Sequence, residues 1–526
     1  MTHVTPRSIC RSNWLAVIIL MAAMSLIASV VTASAVTGSM GVKPILFVQE
    51  RVGDPAHEPA GSLSRLVRLD PDGTLTILSE GMLNAAQPDV SFDGRTILFA
   101  GREHAADSWQ IWRMALDGTS RQQLTDLPGD AREPIWLAPA AINSPTFDRR
   151  LPWISFVSTA AGVLDDRGRE PLPNLYAMSL EETPDRGQIR WQTTYDLGGN
   201  GAPTVLRDGR ILYSARQRGG WALMTISWAG ENLNSFYGSH DGSWAQWSAC
   251  EWPEQERVVF IESQSDERAG RLASVSWRRP LHSHVVLDAT GAYRTPARLQ
   301  DGSLVVAWRE SETGTYGLYR FDVTSGRGEL IHDDPDWHDV DAVSLAERAT
   351  PRSRIPTVDF ASVLDVSGFE SAGQLQCMNV YETDRPSVTP ARGEVTSVRL
   401  MEGIPRRIGS SQVGADDDVS SDAAAGEQSW PPAGVRTRSL GVAPVEADGS
   451  FYVNVAGDVP FYMETLNAQG QVVDAMRAWM WVRSGDQRGC VGCHENRELT
   501  PENRATQALR RAEPANLMGP QAEGAP

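Results

Sequence analysis

The chain has 526 residues, with 48 Lys and Arg against 66 Asp and Glu and a formal net charge of -18. An acidic surface of this kind repels nucleic acid and anionic lipid and attracts basic partners. Five cysteines are too few for a disulfide scaffold, and the length is enough for roughly two to four domains.

The N-terminus opens with Arg7 and Arg11 in an acid-free stretch, followed by the apolar run Trp14 to Val31 and then Ala33-Ser34-Ala35. A basic start, an apolar core and an A-x-A site read as a Sec-type leader over residues 1–35, cleaved after Ala35. An uncleaved membrane anchor is the alternative, because the run is long enough to span a bilayer. Cys10 precedes the run and so is no lipid-attachment cysteine. Either way the body is expected outside the cytoplasm, periplasmic or extracytoplasmic, with no membrane span after cleavage.

From residue 42 to 345 one pattern recurs: strand, Asp-Gly turn, strand, loop, strand. QPDVSFDGRTILFAGRE (87–103), PTVLRDGRILYSAR (203–216) and TPARLQDGSLVVAWRE (295–310) are its clearest copies, with weaker ones opening near Pro44, Glu133 and Trp244. A period of roughly 40 to 60 residues is that of four-stranded propeller blades, and the copies add up to six. The Asp-Gly pairs are hairpin turns, and the tryptophans, 17 in the chain, belong to packing between blades. The repeat resembles TolB-type propellers, which speaks to fold and hardly to function. His332 and His338 flank an acidic run, and His282 and His284 share a strand face. Both are candidate cation sites, but the acidic run lacks the glycine and terminal glutamate of an EF-hand loop, so a solvated loop and a surface pair are the plainer readings.

Residues 346–356 read as a linker and 357–500 as a small antiparallel β-domain, with a mobile loop at 409–438 that is rich in Ser, Asp, Ala and Gly. Thr500 as N-cap and Pro501 at the first helical position predict a short helix through about Arg511, with a loose tail to 526. The expected fold class is therefore all-β: a six-bladed propeller, then a small antiparallel β-domain ending in a short C-terminal helix.

That domain carries the one C-x-x-C-H run of the chain, Cys490-Val-Gly-Cys493-His494. Two thiols three apart suit a redox disulfide, half a zinc site or two haem thioethers. Only the haem reading also uses the next histidine, as proximal iron ligand. A structural zinc site wants a second close pair, and Cys250 and Cys377 are single and far apart. Those two could pair with each other or remain buried thiols. One haem c is the cofactor this predicts. No histidine follows His494, so the distal ligand must come from a propeller histidine or a methionine. Met476 is the first candidate, then Met480, with Met518 third; methionine is also a common core filler.

The C-terminal block also carries N-V-Y-x-x-D-R-P, V-R-L-x-E-G-x-P-R-R, P-V-x-x-D-G-S-F, P-F-Y-x-E-T-L-x-A-x-G and R-G-C-V-G-C-H-E. With a propeller before it, this block resembles the hydrazine synthase alpha-subunit family over roughly residues 42 to 500. The resemblance implies a six-bladed propeller as middle domain and a c-haem in the C-terminal domain, with Cys490 and Cys493 as thioether anchors and His494 on the iron. The family also carries its reactive haem in a domain ahead of the propeller, where this sequence is expected to have only the leader, and no second C-x-x-C-H exists. The first expectation is therefore a monohaem electron carrier, with the propeller as docking platform for a basic redox partner protein. The alternatives are a haem enzyme that activates a small nitrogen or oxygen compound at an open iron site, and a non-redox propeller binding protein. No triad, phosphate loop or paired-carboxylate pattern names a catalytic residue.

Overall fold

The computed structural model describes residues 43–52, 63–141, 150–183, 187–217, 220–238, 244–322, 326–354, 356, 372–383, 390–409, 430–493, 500, 505–511 and 513–519. The expected leader at 1–35, positions 410–429 of the expected loop, and His494 fall outside them. Among the described residues, no helix is long and apolar enough to cross a membrane.

Six four-stranded blades follow one another around an axis. Blade two is Asn84–Val90, Thr96–Arg102, Gln110–Ala115 and Gln122–Gln123, from the axis outward. Blade three runs from Ala131–Ala141 out to Gly187–Gln192, and blade four from Asn200–Val205 out to Asn234–Tyr237. Blades five and six share the strand Val285–Arg298, the outer edge of one and the inner edge of the other. Gly291, at φ 70°, is where that strand changes blade, and a Cβ there would meet the Arg309 carbonyl at 2.2 Å. Blade one is closed from the far end of the propeller: its inner strand is Trp337–Ser344, laid antiparallel on Ile45–Arg51. The middle strands are buried on both faces because blade packs on blade, as in Thr96–Arg102 and Arg257–Ser263. The Asp-Gly pairs are turns. Asp72, Asp93, Asp117, Asp208 and Asp301 each accept the N–H two residues on, and the glycines take positive φ.

The axis holds a feature that the repeat does not advertise. Each inner strand carries one non-glycine residue in the left-handed region: Gln87, Glu133, Ala202, Ser248, Thr295 and Asp341, with φ between 40° and 55°. At each, the pairing register slips as a β-bulge. Such a conformation costs about 1–2 kcal/mol per residue, so something must offset it. At three of the six, side chains do so by reaching the next blade. Gln87 Oε1 accepts from Glu133 N at 3.2 Å, Glu133 Oε2 from Ala202 N at 2.5 Å, and Thr295 Oγ1 from Asp341 N at 3.0 Å. Burial opposes charge on Glu133, but the Arg268 guanidinium hydrogen-bonded to it holds the carboxyl below its usual range.

Residues 346–354 do not hang between domains. They lie across the propeller face that carries the Asp-Gly turns. Arg348 binds Asp89 and the Val90 carbonyl of blade two, and Arg352 N and the Arg354 side chain bind the Arg207 and Asp208 carbonyls of blade four.

The second domain is a sandwich of two four-stranded sheets. One, Val435–Pro444, Ser397–Pro405, Phe461–Leu466 and Val472–Ala475, is antiparallel throughout. The other pairs Ala372–Cys377 with Phe451–Ala456 antiparallel, and adds Gln487–Cys490 and Ala515–Leu517 as parallel edge strands. Leu375, Val398, Leu400, Phe451, Val453, Phe461 and Met480 fill the space between them. Two expectations change here. The loop expected at 409–438 overlaps a strand, since Val435–Pro444 is paired from its first residue. Within the described residues, the helix expected after Thr500 is one 3-10 turn, Ala508–Arg510, followed by a strand rather than a loose tail. The turn Asp448-Gly449-Ser450 captures Gln507 N and Ala508 N, at 2.9 and 3.0 Å, which replaces helical bonding with tertiary bonding.

Replacing Glu133 with alanine removes the cap on Ala202 N and leaves Arg268 without its carboxylate. The propeller is expected to lose about 3 kcal/mol in urea unfolding, while Glu80→Ala, on an exposed turn, changes nothing measurable. A Glu133→Ala protein with an unchanged midpoint would show that the axial caps are not what offsets the bulges.

Candidate functional site

The C-x-x-C segment leaves the sandwich at the edge of its mixed sheet. Gln487–Cys490 pairs in parallel with Ala372–Cys377, in a register that sets Cys490 directly beside Cys377. Sequence reasoning had paired Cys377 with nothing nearer than Cys250. Cys250 instead lies against the propeller core, and burial pushes its thiol up to about 12. No disulfide joins Cys250, Cys377, Cys490 or Cys493. Cys490 and Cys493 are half-buried and rest on the sandwich core. The turn between them needs Gly492, where a Cβ would meet the Glu382 carbonyl at 2.2 Å. Next to Cys490, Gln376 lies against Gly489, and its buried Oε1 has no partner. Two reduced thiols on an apolar wall, with a spare polar oxygen beside them, fit covalent attachment of a haem. They fit zinc poorly, for among the described residues no three His, Cys, Asp or Glu gather around one point.

The methionine candidates separate. Met480 is buried inside the sandwich core, paired with Phe461 through both backbone bonds. Met476 follows the strand Val472–Ala475 and is half-buried, packed against the core that carries Cys490 and Cys493 as well as the cluster around Trp479. Met518 follows the opposite edge strand of the tether's sheet. The propeller histidines have other work. His332 packs on Phe47 at 5.4 Å, with Nε2 3.9 Å from Asp339, and His338 Nδ1 accepts Tyr316 N at 3.1 Å. His284 pairs with buried Glu262 at 3.0 Å and stacks on Tyr237, and His282 closes a 3-10 turn.

The segment that leads into the tether runs between the two domains. Trp479, Trp481 and Arg483 face the propeller; Met480 and Val482, alternating with them, face the sandwich core. Trp481 enters the aromatic core of blades three and four, where Trp153, Trp191 and Trp228 sit 4.9 to 5.3 Å apart. Trp479 donates its indole N–H to Asp166 at 3.2 Å. Arg483 is 1% exposed and donates to the Gln192 carbonyl, Tyr195 and Asp458, at 2.9, 3.3 and 3.3 Å.

Polar groups sealed at this seam are the part that the sequence did not announce. Asp196 is 2% exposed, and among the described residues its carboxylate accepts from Gly198 N at 2.8 Å and Gln217 Nε2 at 3.4 Å. Burial, with Asp166 adding to it, pushes its pKa up to about 8. Burial raises Asp166 too, against the Trp479 hydrogen bond. Tyr213 is fully buried, its hydroxyl has no hydrogen-bond partner, and Asp196 and Arg488 both act on it electrostatically. Arg488 stands two residues before Cys490 on the tether strand. Nothing in the spacing of Asp166, Asp196 and Tyr213 marks them, because they meet only through the fold.

Residues 393–495 match the family described as hydrazine synthase alpha subunit middle domain. Hydrazine synthase subunit alpha of Kuenenia stuttgartiensis is 27% identical over 542 residues, covering 86% of this chain and 66% of that protein, so the chain spans just under two thirds of that relative's length. The solved hydrazine synthase of Kuenenia stuttgartiensis superposes with a TM-score of 0.77 at 25% identity, over 89% of this chain and 71% of that one. TolB of Acinetobacter baumannii follows with a TM-score of 0.41 at 16% identity, over 58% and 68%. The electron-carrier reading is corrected by these findings. The likeness runs through propeller and sandwich together, to a protein named as a synthase subunit.

Two outcomes follow from the seam. Arg483→Met leaves half-buried Asp458 and the Gln192 carbonyl without their cation, so the interface should weaken by about 3 kcal/mol and thermal unfolding should split into two transitions. A single unshifted transition would show that the aromatic contacts alone hold the domains together. The second outcome concerns pH. Because the folded pKa of Asp196 stands at about 8 against its ordinary 3.8, the folded chain holds an extra proton between those values. Its contribution to stability is complete below the lower value and is lost as pH rises through the upper one. Asp196→Asn should therefore flatten the fall in stability over that range, measured as urea midpoints against pH.

Proposed function

Since the chain is a hydrazine synthase alpha-subunit-like protein, we propose that it is the haem-bearing subunit of an exported enzyme acting on a small nitrogen or oxygen compound. The observation that carries this reading is the position of Cys490 and Cys493. Both thiols lie on the apolar wall of the sandwich, directly after a segment locked into the propeller, in a chain whose likeness to the synthase subunit runs through both domains. Cys490 and Cys493 would hold one haem c by thioethers, and His494 would bind its iron, a role that rests on the motif. Bound there, the haem would supply iron redox chemistry for a small molecule. The rest belongs to the chain: Gly492 allows the tether to turn, and the seam fixes the sandwich that carries it against the propeller. The relative is named as one subunit among others, so this chain is proposed to work in an assembly, and its acidity favours a basic partner. Export rests on the leader over residues 1–35, with the mature N-terminus near Val36.

The test is spectroscopic, on protein matured in a host that attaches c-type haem. Covalent haem should survive acid-acetone extraction and should be absent from the Cys490→Ala, Cys493→Ala double variant, with far-ultraviolet dichroism unchanged because the blades bury their own core. The reduced protein should bind carbon monoxide. Met476 is the thioether that could close the iron instead. A far-red sulfur-to-iron band that disappears in Met476→Ala, together with indifference to carbon monoxide, would sink the open-site reading. Extractable haem in the unmodified protein would sink the attachment itself.

A further inference from the structure

The tether strand sets side by side two cysteines that the sequence keeps far apart. Gln487–Cys490 runs parallel to Ala372–Cys377, with Gln374 beside Gln487 at one end and Cys377 beside Cys490 at the other. Backbone hydrogen bonds fix that register: Gln374 N donates to the Asp486 carbonyl at 2.8 Å, and Met378 N to the Cys490 carbonyl at 2.9 Å. Both side chains lie on one side of the sheet, since Cys377 belongs to the sandwich core and Cys490 packs against that core. Cys377 is 2% exposed and is held from its other side as well, opposite Phe451. Cys490 is half-buried and ends an edge strand. Adjacent strands lie about 4.8 Å apart, within the Cα separations of roughly 4.4–6.8 Å that a disulfide bridges. The Cβ atoms must still close to about 3.8 Å. Cys377 is fixed by strands on both sides, but the end of an edge strand can make that approach.

We propose that Cys377 and Cys490 form a reversible disulfide before haem is attached, which withholds Cys490 from the haem; this rests on the attachment reading above. The half-buried thiol reacts first. The Cys490 thiolate attacks a small-molecule disulfide, such as oxidised glutathione, giving a mixed disulfide and releasing one thiol. The Cys377 thiolate then attacks the Cys490 sulfur, so the Cys377–Cys490 bond forms and the second thiol leaves. The two cysteines lose two electrons to the oxidant, and the two protons they give up end on the released thiols. Closing the bond draws Cys490 inward against its own ladder, and a disulfide made under such strain is readily reduced. A thiol reductant therefore returns Cys490 to thioether chemistry. A sulfur already bonded to sulfur cannot add to a haem vinyl group, so the link and the haem exclude each other. Cys493 is the local competitor for Cys490, but the turn between them is pinned to the neighbouring segment. The Val491 carbonyl accepts Asn379 N at 3.1 Å, and Gly492 lies against the Glu382 carbonyl.

The test uses the full unmodified chain, made without haem maturation and equilibrated folded in a series of buffers of oxidised and reduced glutathione. Each sample is quenched with acid, alkylated in denaturant and mapped by mass spectrometry. In the oxidising buffers Cys377 and Cys490 should lose alkylation together and appear in one linked peptide pair, while Cys250 and Cys493 stay alkylated. The pair should disappear again in the reducing buffers. Linkage of Cys490 to Cys493, or Cys377 without an intrachain link in the most oxidising buffer, overturns the proposal. The haem-loaded protein, taken through the same buffers, should keep Cys377 as a thiol, because its partner is occupied; an intrachain link at Cys377 there overturns the exclusion. Cys377→Ser should lose the linked pair, and since mapping of the unmodified chain decides alone, nothing hangs on whether that variant folds. A chain that makes the link but takes no covalent haem when matured fails the reading in the previous section. A haem protein whose haem-free form makes no link fails this inference alone.

Discussion

One strip of five residues makes two domains into a single body. In Trp479–Arg483 the extended backbone turns alternate side chains to opposite sides, so the same few residues complete an aromatic core in the propeller and an aliphatic core in the sandwich. Arg483 adds a demand that hydrophobic contact does not make. A guanidinium removed from water must find its acceptors, and here they come from both domains, the Gln192 carbonyl and Tyr195 on one side and Asp458 on the other. Either domain alone would leave that cation unmet. The tether begins four residues later, so the position of Cys490 relative to the propeller is inherited from this strip.

The propeller was legible because its signals are local. An Asp-Gly turn between two alternating strands needs no knowledge of the rest of the chain, and repetition of that unit supplied the number of blades. The C-x-x-C-H run was legible for the same reason. What stayed hidden is what tertiary contact creates. The left-handed residues on the axis carry ordinary identities (Gln87, Ser248, Thr295), and only the ring of neighbouring inner strands explains their backbone. Thr500 and Pro501 signal a helix honestly, but the Asp448–Ser450 turn competes for the N–H groups farther along. The alternation of Trp479 and Trp481 against Met480 could be seen in advance; which surface each face would meet could not. The electron-carrier expectation failed differently. It came from weighing a missing second haem motif above a likeness that extends through both domains.

The axis and the strap show how a circular fold resists being pulled apart. Six bulges put unfavourable backbone at the centre, and the side-chain hydrogen bonds at three of them run from blade to blade. Loss of one blade would therefore expose both an edge and a strained neighbour. Residues 346–354 add a second constraint by crossing from blade two to blade four before the chain enters the sandwich. The sandwich then meets blades three and four, and the described part of the strap ends on blade four.

The closing strand sets an order in time. Ile45–Arg51 and Ser64–Leu69 are made early, yet their inner partner, Trp337–Ser344, is made only after five other blades. The first blade to be synthesised is thus the last to be completed. Until then one strand edge at each end of the array is open, and each is a template for pairing with another chain. The hazard of this architecture is greatest in the newborn protein and vanishes at a single event, when residue 344 comes home.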